Sequence, residues 1–319
     1  MNTLRLNEGG QIDRGRPLNF QFNGKNYTGY QGDTLASALL ANGVHVMARS
    51  FKYHRPRGPL SAGSEESNAL VQLETGGFTV PNCPATMVEL YDGLVANSQH
   101  CWPSVNFDVA AITNYFARLF PAGFYYKTFM WPKSLWMTYE EIIRGSAGLG
   151  KSPRETDPNH YDHQHTYCDI LVVGAGASGL SAALSAAQSG AQVMLVDEHS
   201  FWGGSLDNQT QSINELRAVR CVDKTVDLLV RLDNLRLLYL TTVNGYFHHI
   251  YLASNVRISH HLGPKAPVDL PRERLWKIRA RKVILATGAI ERPLVFADND
   301  RPGIMLANAV RTYLNRYGV

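Results

Sequence analysis

The segment DILVVGAGASGLSAALSAAQSGAQVMLVDE, residues 169–198, leaves little choice in how it folds. An apolar run ends in Gly174-Ala175-Gly176-Ala177-Ser178-Gly179, small residues follow at helical spacing, and a second apolar run closes at Asp197-Glu198. Continuous hydrophobic strands of this kind are buried on both faces, as in parallel sheets. The order strand, glycine-rich turn, helix, strand is a βαβ unit. Gly174 permits the tight turn, Gly176 lets the backbone approach a pyrophosphate, and Gly179 lets the helix lie close to the sheet. The GAGASG turn, with Ala177 and Ser178 in it, opens the helix LSAALSAAQ, whose first amides and dipole hold phosphates. Asp197 falls roughly 20 residues past the turn, where an acidic side chain accepts from ribose hydroxyls, and Glu198 is an adjacent candidate. Two carboxylates without an Arg immediately after them repel a 2′-phosphate, so NAD or FAD is expected over NADP.

Two further features belong to the same reading. Gly203-Gly204-Ser205 follows Phe201-Trp202 and either brings backbone close to a nucleotide or forms a plain surface turn. Lys282–Gly288 is a short apolar strand running into Thr287-Gly288, small residues able to pass beside phosphates.

The front of the chain has a different texture. Residues 18–30 alternate apolar and polar around Asn23-Gly24, a two-residue type I′ hairpin signal. Asp33 or Thr34 then caps a short helix, LASALLANG, and strands at ALVQLE and near Thr79-Val80 complete a β-grasp over residues 1–100, with a turn at Tyr91-Asp92-Gly93. Residues 101–165 read as a connector. Its aromatics, as in FPAGFYYKTFMWP, lie against a partner or wrap the chain's own domains. Residues 166–319 form the dinucleotide-binding domain.

Composition sets limits on function. With 31 basic against 27 acidic residues, the net charge of +4 does not make a nucleic-acid platform. No window approaches the ~18 apolar residues of a membrane span and no signal-peptide core precedes the first domain, so no membrane association and a cytoplasmic location are expected. Cys83, Cys101, Cys168 and Cys221 are scattered core thiols without zinc spacing. Arg49, Lys52, Arg55 and Arg57 read as a solvated face, as do His160, His163 and His165, so no metal site is expected. The chain has no GxSxG, and hydrolysis has no support.

The combination of FKYHRPRG, FYYKTFMWP followed by YEEIIRGSAGLG, VVGAGASGLSAA with VDE, and ATGAIERP followed by RPG resembles the alpha subunits of heterotetrameric sarcosine oxidases. The resemblance implies a ferredoxin-like β-grasp domain followed by a Rossmann-type FAD/NAD(P)-binding domain, an α+β and an α/β part. It places NAD contacts on the GAGASG turn, on Asp197, Glu198 and His199, on Gly204 and Ser205, on the strand at Val243, and on Thr287 and Gly288. It further implies FMN at the interface with the beta subunit, FAD in the beta subunit, and beta, gamma and delta subunits as partners. No substrate-oxidising residue is expected in this chain. Related amine and opine dehydrogenase subunits hold a two-iron cluster on cysteines after HRPRG. Here that stretch reads GPLSAGSEESNALV, so a cluster-free domain is expected.

The family continues past this point, completing the dinucleotide fold and adding a tetrahydrofolate-binding region, so an incomplete second domain is expected. The function implied is that of an NAD-binding subunit in a complex that oxidises sarcosine to glycine, passes formaldehyde to tetrahydrofolate and releases hydrogen peroxide. The alternatives are an FAD-binding subunit of an opine- or cyanide-forming amine dehydrogenase and a non-catalytic scaffold subunit.

Overall fold

A computed structural model describes residues 4–119, 123, 131–213 and 216–319. Most of the aromatic stretch read as a contact surface, Phe120 and Phe124 to Met130, lies outside the described residues. Two compact units are present, one of residues 1–158 with 292–319 and one of residues 159–291.

In the first unit, strands β1 (Asp13–Phe22) and β2 (Lys25–Gln31) pair antiparallel around Asn23-Gly24, both with positive φ, as the type I′ signal requires. The helix Leu35–Ala41 is capped by Thr34, which exchanges side-chain and backbone hydrogen bonds with Ser37 in a capping box. Asp33 does other work. Its buried carboxylate takes both arms of the Arg5 guanidinium at 3.0 and 2.8 Å, the Tyr30 N–H and the Ser37 hydroxyl.

Strands β3 (Ala48–Arg49) and β4 (Pro56–Arg57) form a small ladder. With β5 (Leu70–Leu73), β6 (Val80–Pro84) and β7 (Val95–Ser98), the main sheet runs β2-β1-β7-β5-β6. Strand β7 lies parallel to β1, so hairpin, helix and returning strand give the expected β-grasp. Leu35, Leu39, Met47, Val71 and Leu94 are fully buried between helix and sheet, each contributing ~1.5–3 kcal/mol.

Residues 292–319, read from sequence as part of the nucleotide fold, group with this first unit. The reason is packing. Leu306, Ala309, Tyr313 and Tyr317 on and around the helix Ala307–Asn315 are buried in the β-grasp core, and the Tyr313 hydroxyl donates to Ser61 O at 2.9 Å.

The basic segment is not a solvated face. Arg49 donates to Val105 O and His54 O and lies 3.7 Å from the buried Asp108, which also holds His54 Nδ1 at 2.7 Å. Arg55 pairs with Asp298 and Asp300, and Arg57 with Asp300 at 2.9 Å. These carboxylates are remote in sequence, which is why a local reading misses them.

The second unit carries a sheet in the order β12-β9-β8-β15-β14-β13. Its strands are β8 (Tyr161–Val173), β9 (Val193–Val196), β12 (Leu235–Leu238), β13 (Thr241–Phe247), β14 (Tyr251–Arg257) and β15 (Glu273–Leu285), with β10 (Ser212–Ile213) and β11 (Leu216–Arg217) pairing separately. Strands β12, β9, β8 and β15 run parallel, and β15, β14 and β13 form an antiparallel meander. Strand alternation sorts the two faces. Val172, Val193 and Leu195 pack with the helices Ala177–Gln188 and Ala218–Val230, whereas Leu171, Met194 and Val196 pack with Cys168, Leu252, Trp276 and Ile278.

Strand β8 starts at Tyr161, inside the stretch read as linker. Its polar half pairs along β15 from Tyr161↔Glu273 onward, with Asp162 bridged to Arg274 at 2.8 Å. His160, His163 and His165 are exposed there. Among the described residues no helix is long and apolar enough to cross a membrane.

Candidate functional site

The parallel strands β9, β8 and β15 end level with one another, Val173 lying opposite both Val196 and Leu285. Ligands of open α/β sheets bind beyond such carboxyl ends. Three segments emerge there: Gly174–Gly179, Asp197–His199 and Ala286–Gly288.

The three glycines of the turn face different constraints. Gly174 has φ +97, and a Cβ on it would lie 2.4 Å from Ala286 O. A Cβ on Gly179 would come within 1.8 Å of Gly174 O, so this glycine is fixed by the close passage of helix over turn. At Gly176 a Cβ would meet no protein atom within 4 Å. Packing therefore does not demand glycine at 176, and the backbone there is accessible to a ligand. Gly176 is also the N-cap of the helix Ala177–Gln188, and no side chain caps it. Its first-turn N–H groups, including those of the exposed Ala177 and Ser178, have no intrahelical carbonyl partner.

Asp197 is 9% exposed, and both its oxygens are engaged by the protein. Oδ2 accepts from the Ala175 N–H at 2.6 Å, while Oδ1 accepts from the His199 N–H and bonds His199 Nδ1, each at 2.9 Å. Asp197 thus braces the glycine-rich turn from below. Burial pushes its carboxyl up, but the hydrogen bond and charge of His199 and the N–H groups of Ala175 and His199 outweigh that and hold it below the ordinary value. For His199, burial lowers the imidazole, and the hydrogen bond and charge of Asp197 with the charge of Glu198 raise it above its usual value. Glu198 is half-buried, and its carbonyl accepts from Arg257 Nη2 at 2.7 Å.

The paired glycines resolve into two roles. Gly203, φ +105, is buried against Val222, where a Cβ would lie 2.9 Å from a methyl. Its N–H donates to Ala175 O at 2.9 Å. Gly204, φ +52, lies against Gly176, its Cβ position 3.1 Å from the Gly176 Cα, and Ser205 beside it is exposed. Thr287 and Gly288 are exposed beyond β15, after Ala286 N–H bonds Val173 O. Val243 sits on β13 at a bulge opposite Ser254, two residues beyond Thr241, whose N–H donates to Asp197 O at 2.7 Å. Its side chain packs into the sheet core with Leu252 and Trp276.

Sequence reasoning missed Arg257, Thr241 and the engagement of Asp197 by Ala175. Arg257 and Thr241 arrive from β14 and β13, far along the chain, and no local motif marks them.

Residues 15–101 match the family described as a 2Fe-2S iron-sulfur cluster binding domain, and residues 169–218 the family of FAD dependent oxidoreductases. A solved structure, L-proline dehydrogenase from P. horikoshii, superposes over 100% of this chain and 49% of its own with a TM-score of 0.63 at 21% identity, a likeness of fold. The sarcosine oxidase subunit alpha of Rhizobium meliloti (strain 1021) is 51% identical over 320 residues, covering 100% of this chain and 32% of that protein. That of Corynebacterium sp. (strain P-1) is 39% identical over 97% of this chain and 28% of its own length. Along its full length, then, the chain is a homologue of sarcosine oxidase alpha subunits, and it spans about a third of theirs.

Proposed function

We propose that this chain is the dinucleotide-binding part of a sarcosine-oxidase-type complex and that its second unit holds NAD. The observation that carries this reading is Gly176: the glycines at 174 and 179 beside it are required by close protein backbone, yet a Cβ at 176 would meet no protein atom within 4 Å. The residues present fit a dinucleotide. The N–H groups from Gly176 to Ser178 face the pyrophosphate, with Gly179 and Gly174 shaping the turn around them. Gly204, which lies against Gly176, and Ser205 beside it border the turn, as do Thr287, close to Gly174, and Gly288. Glu198 accepts from the adenosine ribose, because Asp197 is committed to Ala175 and His199. Backbone groups near Val243 take the adenine.

A bound nicotinamide or flavin supplies hydride chemistry, and the protein supplies position and electrostatics. This chain's own residues bind and orient, and no residue of it is assigned to substrate oxidation. In the full complex, sarcosine is oxidised to glycine, formaldehyde passes to tetrahydrofolate and hydrogen peroxide is released. FMN lies where alpha meets beta, FAD lies in beta, and gamma and delta complete the assembly. Trp102, Phe107, Tyr115, Trp131 and Met137, all more than two-thirds exposed, are suited to contact such partners.

A second reading, FAD in the same turn, is favoured by the match of residues 169–218 to FAD dependent oxidoreductases. Mass spectrometry of the purified chain under native conditions, followed by identification of the released nucleotide, decides between them. NAD in a colourless protein supports the proposal. A stoichiometric flavin with no NAD supports the second reading, and a chain that neither retains nor takes up any dinucleotide leaves a scaffold.

A further inference from the structure

A two-iron cluster is held by four thiolates, in plant-type domains at the spacing C-x4-C-x2-C with a distant fourth ligand. Residues 15–101, matched as a cluster-binding domain, contain only Cys83 and Cys101, and the loop 58–69 contains neither. A cluster does not fit this donor set.

The plant-type spacing nevertheless falls on three residues that the loop gathers at one point, Ser61, Glu66 and Ala69. Glu66 is 5% exposed. Its Oε2 accepts from the N–H groups of Leu60 at 2.8 Å and Ser61 at 2.7 Å, with the Ser61 hydroxyl at 3.4 Å. Its Oε1 accepts from the N–H groups of Asn68 at 2.6 Å and Ala69 at 2.9 Å. Four backbone donors thus converge on one carboxylate. The loop is pinned to the strand that carries Cys83: Ala85 N–H bonds Ala69 O at 2.9 Å, Thr86 Oγ1 donates to Gly63 O at 2.7 Å, and Cys83 lies opposite Val71. Convergent N–H groups of this kind form an anion-binding concavity, the arrangement found around phosphates and iron-sulfur centres. Once buried, such donors must be satisfied.

We propose that Glu66 is an internal anion standing in for the iron-sulfur cluster: its carboxylate holds the amides of the loop 58–69 in the arrangement a cluster would otherwise impose. The β-grasp domain is then a self-filled, redox-silent scaffold. This rests on the first unit alone and is independent of which dinucleotide the second unit holds.

The test uses the whole chain. Glu66→Gln, which turns an amide NH2 toward N–H donors, lowers the melting temperature by roughly 5–10 °C. The triple substitution Ser61→Cys, Glu66→Cys and Ala69→Cys, with native Cys83, is incubated anaerobically with ferric iron and sulfide. It acquires visible charge-transfer absorption, about two irons per chain and a higher melting temperature than before loading, and this supports the proposal whatever the yield of Glu66→Gln. The wild-type chain treated in the same way takes up none. Iron and sulfide bound by the wild type, a triple variant that stays colourless, or a Glu66→Gln chain that melts with the wild type overturns it.

Discussion

The loop 58–69 and the turn 174–179 solve the same problem in opposite ways. Both gather backbone N–H groups that the local backbone leaves without a carbonyl partner. In the first, Glu66 fills the concavity from within, and every donor named there points at its carboxylate. In the second, Asp197 takes the Ala175 N–H, and a side chain at Gly176 would meet no protein atom within 4 Å, the opening in which the proposed dinucleotide is placed. A cluster of amides is therefore not evidence of a ligand until it is known whether the chain provides its own anion. The same test separates the glycines, since those at 174, 179 and 203 answer to protein atoms and that at 176 does not.

This contrast can be broken at several points. The largest effect is expected for Gly179→Ala, because the added methyl falls 1.8 Å from Gly174 O, backbone that cannot yield cheaply. A loss of about 3 kcal/mol or more is expected, read from denaturant unfolding followed in the second unit. Next is Asp197→Ala, which strips a buried N–H of its acceptor and His199 of its partner. It costs roughly 2–4 kcal/mol of stability and weakens NAD binding by loosening the turn. A variant that binds NAD less but melts unchanged would return Asp197 to a direct ribose contact.

Much of this was legible in the sequence. The hairpin at Asn23-Gly24, the capped helix after it and the βαβ unit followed from local patterns, because turn chemistry and hydrophobic period are local properties. What was not legible depends on residues far apart in the chain. The helix Ala307–Asn315 buries Tyr313 in the first core although it follows the second unit in sequence. The arginines of the HRPRG region find Asp108, Asp298 and Asp300. The polar start of β8 looks like linker because its face is wet, and only its pairing with β15 makes it a strand. At the site, Asp197 stood where a ribose acceptor belongs, and its occupation by Ala175 and His199 could not be read from spacing.

Two smaller effects sharpen the account. Glu198→Gln is expected to weaken NAD about tenfold, worth ~1.4 kcal/mol, and to narrow the preference over NADP by removing a charge that repels a 2′-phosphate. Calorimetric titration with both nucleotides checks this. The smallest effect is a pH dependence. The raised imidazole of His199 adds stability below about pH 6.5 that is lost as pH rises through its folded value, and the lowered carboxyl of Asp197 adds stability that is lost only in acid. The melting difference between wild type and His199→Ala is thus larger near about pH 5.5 than near about pH 8.5. An equal difference at both would mean that His199 acts by packing.

The most direct measurement is calorimetric titration of NAD into the wild-type chain and into Gly176→Val, with the melting temperature of each recorded. Wild type binds one equivalent, while Gly176→Val melts within about 0.5 kcal/mol of wild-type stability and loses binding at least tenfold. Equal binding by both chains, or loss of binding only together with the fold, would contradict the reading of Gly176 as the open side of a dinucleotide site.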